Sequence, residues 1–276
     1  MNSKEVIVKM NECLKSLLKI EREDDCPEII SKMRAQILNV SSDNLVDRIR
    51  HIIFENEGFS YSKSNPNFFD FLREKNGDCL DFTLLYQVLF DSLNIKSQII
   101  AVPFHTILKT YIKEKEFLIE ATDGSIESPE FYIKTRNIHI SSIKQKVYLA
   151  ALNKDQILAI YTNRKARQPL IYQNYQKAMG ILKEANNFSI DIPEVCYNLG
   201  YVYKYLGNIQ KAKTLFRRAI KLHPNFAKSY NELGICYTKE NLLKEAEVCF
   251  KTSFSLDNTI EAEANLITLR KYLALV

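Results

Sequence analysis

The chain has 276 residues, enough for two compact domains, and 46% apolar against 26% charged residues is the balance of a soluble globular protein rather than a disordered one. A net charge of +5 is mild for this length, which argues against a dedicated nucleic-acid binder. No apolar run approaches the ~20 residues that a membrane helix needs, and seven glycines leave little material for a phosphate-binding loop. Six cysteines and four histidines show no CxxC pair and no zinc spacing, so no metal and no cofactor is expected. Without a secretory signal, the thiols of so large a chain are expected to be reduced, in the cytoplasm.

Residues 1–40 read as one or two helices. Leu14, Leu17, Leu18 and Ile20 fall at helical spacing, and Lys9, Glu12, Lys15 and Lys19 interrupt them, so the first is amphipathic and not a signal peptide. Pro27 opens the second. A helix over Asp43–Glu55 follows the cap-forming cluster Ser41-Ser42-Asp43, and a short helix spans Asn67–Lys75. The next is more informative. Leu80, Phe82, Leu84, Leu85, Val88, Leu89, Phe90 and Leu93 cover most of a helix circumference, which predicts burial. Asp78 is placed to cap it, which puts Cys79 in the first turn, where backbone N–H groups and the helix dipole favour a thiolate. A buried thiol kept only for packing is the plain alternative.

Ser97–Val102, Thr106–Ile112 and Phe117–Ala121 are rich in strand-forming residues, and the polar Lys113–Glu116 segment between the last two reads as a turn. A hairpin centred on Glu114 or just after it sets His105 opposite residue 123 or 124, on a shared face. Asp123 is then within reach of the His105 ring, and Cys79, His105 and Asp123 make a nucleophile, a base and an orienting carboxylate in chain order. Taken singly, His105 is a loop histidine after a proline, and Asp123-Gly124 a turn. Gln87 and Asn67 are the second oxyanion donors possible by type. The sheet is expected to occupy about residues 96–150, with Lys146–Leu152 as its last strand.

The stretch from about Ile52 to Gly124 resembles the transglutaminase-like domain of the bacterial SirB-type family. Phe54, Gly58-Phe59, Pro66-Asn67, Gly77, Cys79-Leu80-Asp81, Leu84-Leu85-Tyr86, Val102-Pro103, His105 and Asp123-Gly124 carry the resemblance, with 26 residues from cysteine to histidine. Phe104 stands where the family usually has glycine. The resemblance implies a papain-like core with Cys79 as nucleophile, His105 as base and Asp123 as orienting residue, followed by C-terminal tetratricopeptide repeats. The choice of Asp123 over Glu120 or Glu127 rests on the hairpin register and this resemblance together.

The repeats are independently visible. Residues 193–226 and 227–260 align at a period of 34: Leu199 with Leu233, Gly200 with Gly234, Tyr203 with Tyr237, Ala212 with Ala246, Phe216 with Phe250, and Leu222 with Leu256. This is the tetratricopeptide pattern, in which small residues let paired helices approach and aromatics fill the space between them. Gly207-Asn208 and Glu240-Asn241 mark turns inside the units, and His223-Pro224 a turn between them. A weaker unit over 159–192 fits Ala178, Leu182 and Ala185, and a closing helix fits Ile260–Val276. Asn153 caps a connecting helix that runs to about Arg167. The basic run Lys211, Lys213, Arg217, Arg218 and Lys221 reads as a solvated face.

The expected architecture is α+β: a papain/transglutaminase-like domain over 1–152, linker helices over 153–192, then all-α repeats over 193–276. Two functions fit. One is a thiol acyl-transfer enzyme acting on amide bonds, as peptidase, deamidase or transglutaminase, with the repeats engaging a protein or peptide partner. The other is a non-catalytic interaction protein that keeps the fold as a scaffold. Neither involves nucleic acid or a membrane.

Overall fold

The computed structural model describes residues 26–39, 44–62 and 68–273. The expected helix over residues 1–20, the Ser41–Asp43 cap cluster and Pro66-Asn67 lie outside the described residues. Two compact units are present, one of residues 1–136 and 148–158, the other of 137–147 and 159–276. Residues 137–147 thus group with the second unit, where the sequence reading ran the first domain unbroken to residue 152.

In the first unit, α1 (Cys26–Asn39) is followed by α2 (Leu45–His51), which Asn44 caps by accepting from the Val46 and Asp47 N–H groups. That helix continues into a π-helical turn, Ile52–Asn56. A two-residue parallel ribbon joins β1 (Ser60–Tyr61) to β2 (Asn76–Gly77), with α3 (Phe68–Glu74) between them. Then comes α4 (Cys79–Ser92), buried from Leu80 to Phe90. Phe54, Phe59, Phe71 and Phe82 pack at its start, with ring centroids 5.0–6.4 Å apart. Phe59, Phe71 and Phe82 are buried, each contributing about 1.5–3 kcal/mol.

Helix α4 packs on an antiparallel sheet of order β3 (Ser97–Val102), β4 (His105–Ile112), β5 (Lys115–Glu120), β6 (Ser125–Glu127). The sheet ends earlier than expected. Residues 128–144 form α5 (Pro129–Thr135), started by Ser128 and Pro129, and α6 (Ile140–Lys144), capped by His139. Lys146–Leu152 is not a strand. Lys146 and Leu149 adopt positive φ, which breaks the extended path, and one isolated bridge, Ile100 with Ala151, remains.

Both turns at the ends of β4 hold non-glycine residues in left-handed backbone. Pro103-Phe104 joins β3 to β4 with Phe104 at φ 59°, and Lys113-Glu114 joins β4 to β5 at φ 49° and 66°. Positive φ at both central residues is what a two-residue type I′ hairpin requires. Such backbone costs about 1–2 kcal/mol per residue that is not glycine.

Helix α7 (Lys154–Lys165) runs from the end of the first unit into the second and begins at Asn153, whose side chain accepts from the Gln156 N–H at 2.9 Å while Gln156 accepts from the Asn153 N–H at 3.0 Å, a reciprocal cap. Then follow α8 (Arg167–Ile171), α9 (Tyr175–Phe188), α10 (Pro193–Tyr205), α11 (Ile209–Leu222), α12 (Ala227–Lys239), α13 (Leu243–Leu256) and α14 (Ile260–Leu273). Gly200 and Gly234 permit the close pairing: a Cβ there would meet the Phe216 ring at 3.0 Å and the Phe250 ring at 2.6 Å. Backbone geometry carries the period further back than the side chains do. Gln173, Gly207 and Asn241 lie 34 residues apart and share φ of 55°, 83° and 60°. Asn174 and Asn208, the next residues, both cap the following helix. Residues 137–147 bind the inter-repeat turns: Ser142 donates to the Leu222 carbonyl, and Asn225 to the Asn137 carbonyl.

Candidate functional site

Asp78 caps α4 by accepting from the Leu80 and Asp81 N–H groups, while Asp81 accepts from the Asp78 N–H at 3.0 Å. This capping box fixes the first turn without taking the Cys79 N–H. Cys79 is half-buried and reduced. Its thiol lies close enough to the His105 ring to favour the cationic imidazole. Nε2 of that ring lies 2.6 and 2.8 Å from the two carboxylate oxygens of Glu120. Thr122 completes the line, its hydroxyl donating to Glu120 Oε1 at 2.7 Å and its backbone N–H at 3.3 Å.

The charges follow from these contacts. Burial works against a charged His105, yet the nearby Cys79 and the hydrogen bond to Glu120 outweigh it and hold the ring up at about 9. Burial likewise opposes a charged Glu120, and the bonds from His105 and Thr122 win, so its carboxyl stays below the usual range. A cationic imidazole beside a carboxylate, with a thiol nearby, is the arrangement that histidine-assisted thiol chemistry uses.

The carboxylate on the His105 ring is Glu120, and Asp123 lies elsewhere. The β4–β5 pairing runs from Ile112–Lys115 to Leu108–Ile119. Continued past its last pair, this register sets Glu120 opposite Ile107, residue 122 opposite His105 and residue 123 opposite Phe104. The turn is the two residues Lys113-Glu114, so the residue opposite His105 is 122 and not 123 or 124, and side chains alternate faces along a strand. Glu120 therefore shares the face of His105. Asp123 instead accepts from the Ser125 N–H at 2.8 Å, and its carbonyl accepts from Arg50 Nε at 3.0 Å. Beside it, Gly124 sits at φ 77°, and a Cβ there would come within 2.8 Å of Arg50 and the Tyr86 hydroxyl. The Asp-Gly pair is a structural turn. Gln87 is eight residues beyond Cys79, about 12 Å along the helix at 1.5 Å per residue, and is buried, so it is no oxyanion donor. Asn67 lies outside the described residues. The signal that could have found Glu120 is parity along the hairpin, once the Lys113-Glu114 turn is known.

The other described cysteines differ. Burial pushes Cys196 up to about 12 and Cys236 and Cys249 up to about 11. Among the described residues, no group of three or more His, Cys, Asp or Glu side chains is placed to hold a metal, and no helix is long and apolar enough to cross a membrane.

The repeat unit carries a second feature. Tyr175 stacks on Tyr205 at 4.6 Å, Tyr205 lies 4.7 Å from Tyr201, and Tyr201 lies 6.3 Å from Tyr197. The Lys204 ammonium lies 4.5 and 4.7 Å from the Tyr205 and Tyr201 ring centres and pairs with Glu232. In the basic run of α11, Lys213 pairs with Glu240, Arg218 with Asp191, and Arg217 donates to the Tyr237 hydroxyl. Those charges are engaged within the fold.

Residues 193–226 match a family model described as tetratricopeptide repeat, and residues 215–248 match a second of the same description. The C-terminal helices are tetratricopeptide repeats. No curated protein matches the chain. Among solved structures, the first tetratricopeptide domain of Spaghetti (RPAP3), bound to an HSP90 peptide, aligns at 20% identity and TM-score 0.40, over 42% of this chain and 93% of its own. The Arabidopsis OM64 tetratricopeptide domain aligns at 18% identity and TM-score 0.41, over 43% and 98%. MamA aligns at 24% identity and TM-score 0.34, over 36% and 58%.

Proposed function

We propose that this chain is an interaction protein that binds a protein or peptide partner through its tetratricopeptide repeats. The match of residues 193–248 to tetratricopeptide models supports this reading, and the tyrosine series along α10 supplies the surface. Stacked, partly exposed tyrosines offer large contact area at small entropic cost, with hydroxyls at the rim. The test is a random peptide library selected on the full-length protein, followed by calorimetry of a selected peptide. Replacing Tyr201 and Tyr205 together by Ala should weaken binding at least tenfold. Unchanged affinity would overturn the assignment of this surface.

A second reading is favoured by one observation, the Cys79–His105–Glu120 line. Here the first unit is a transglutaminase-like domain of SirB type, and it performs thiol acyl transfer on an amide of the bound partner. His105 carries the proton of the pair as its imidazolium, and the Cys79 sulfur attacks the amide carbonyl as a thiolate, the carbonyl oxygen facing the Cys79 N–H. The C–N bond breaks, and the leaving amine takes the proton from His105. Water or a second amine then cleaves the thioester, releasing the acyl group and restoring the pair. Glu120 orients the imidazole and stabilises its cation. Mass spectrometry of the full-length protein with a peptide-ester or peptide-amide library should show an acyl adduct on Cys79, lost in Cys79→Ala and in His105→Ala. An adduct that persists in His105→Ala would sink this mechanism.

A further inference from the structure

A cavity of about 380 Å³ lies among α12, α13 and α14, beside the turn that joins the first two. That volume is at the lower end of the range for ligand sites. Its apolar wall is Ile235, Leu243, Phe250 and Leu269, of which Phe250 and Leu269 are buried and the other two half-buried. Lys239 and Thr268 are exposed and stand at its mouth. Among the described residues that line it, Lys239 alone is charged, and it makes no ion pair with another described residue.

The repeat period joins this cavity to the tyrosine series. Tyr201, Ile235 and Leu269 lie 34 residues apart, at equivalent places on α10, α12 and α14, and Tyr205 and Lys239 are equivalent in the same way. Equivalent positions line one face of a repeat stack. The hydrogen bond that Asn265 donates to Asn231 at 2.9 Å, again across 34 residues, brings such positions of α12 and α14 together. A peptide that lies along Tyr201 and Tyr205 therefore meets the cavity one repeat further on.

We propose that the cavity is a side-chain pocket of the peptide-binding surface: it takes a large apolar side chain, aromatic or aliphatic, whose neighbour in the partner peptide is acidic and pairs with Lys239. This rests on the interaction reading of the repeats and adds the chemistry of the partner. The apolar wall selects the side chain that enters. A mouth with one cation and no acid sets the sign of the residue beside it, favouring an anion and opposing a cation.

The experiment uses fluorescein-labelled decapeptide pools, random except for a central Phe-Glu, Phe-Lys or Ser-Glu pair, titrated with the full-length protein and read by polarisation. The Phe-Glu pool should bind about tenfold or more tighter than Ser-Glu, the worth of burying one ring. It should bind about two- to fivefold tighter than Phe-Lys, the worth of one exposed charge pair. Lys239→Glu should invert the second preference, so that Phe-Lys binds better than Phe-Glu, a result that a misfolded variant cannot give. Thr268→Trp, which fills the cavity from its exposed mouth, should remove the preference for Phe over Ser. Pools of equal affinity, or preferences unchanged in both variants, overturn the assignment. The double variant Tyr201→Ala, Tyr205→Ala, measured in parallel, separates two failures. Binding that weakens in the double variant but ignores the central pair removes this inference alone, whereas no saturable binding of any pool removes the interaction reading and this inference with it.

Discussion

Cysteine and histidine play opposite parts in the two units. In the first, Cys79 sits half-buried at a capped helix start near His105, whose pKa is held up at about 9. In the second, Cys196, Cys236 and Cys249 are buried among packed helices with raised pKa values, and burial together with the neighbouring His139 takes His223 down to about 4. The same side chains are drawn into an ion-paired line where a strand brings opposite charge to them and serve packing where apolar helices surround them. The lesson is that residue type carries little functional weight until its electrostatic surroundings are known.

The sharpest test of this contrast is thiol reactivity. At pH 7, Cys79 should alkylate at least about tenfold faster than the three repeat cysteines, because burial keeps those thiols protonated and shielded from the reagent. Equal rates in site-resolved mass spectrometry would erase the contrast. Next in size is Gly124→Ala, which combines positive φ with a clash against Arg50 and Tyr86. It should cost about 3 kcal/mol by denaturant unfolding, and Gly234→Ala should cost more than Gly200→Ala, since Phe250 stands closer than Phe216.

The two histidines predict opposite pH responses. His105 has a raised pKa when folded, so its contribution is complete below about 6.5 and is lost as pH rises through about 9, a change of about 3 kcal/mol. Glu120, with a lowered pKa, adds stability that is present above its unfolded value and lost as pH falls through the folded one. His223 is depressed, so the repeat unit should lose about 3 kcal/mol as pH falls from about 6.5 towards 4. Hydrogen exchange measured unit by unit across this range should show the first unit weakening on the alkaline side and the second on the acid side. A common response would break the comparison.

Smaller effects sharpen the site itself. Glu120→Gln should slow Cys79 alkylation at pH 6 about tenfold by removing the charge that favours the imidazolium. Asp123→Ala should leave that rate within about twofold of wild type and instead cost about 1 kcal/mol of stability, the usual worth of a side-chain hydrogen bond in a turn. The reverse pattern would restore Asp123 to the site.

Much of this molecule is written locally in its sequence. The cap of α4 by Asp78, the burial of that helix, the strand Ser97–Val102, the cap at Asn153 and the 34-residue period all depend on neighbours within a few residues or on a repeat that recurs along the chain. Helix periodicity, cap chemistry and close approach at glycine act at short range, so they can be read without knowing what lies across the fold.

What the tertiary structure decided is whatever turns on register or on distant partners. The choice of Glu120 over Asp123 hinges on one residue in the Lys113-Glu114 turn, which lacks the glycine or asparagine that marks a type I′ hairpin. The end of the sheet at Glu127, the grouping of residues 137–147 with the repeats, and the left-handed Gln173 that carries the period back to a third unit were invisible for the same reason. A strand's two faces differ by a single step, and which face meets the histidine is fixed by pairing between strands, not by composition along one of them.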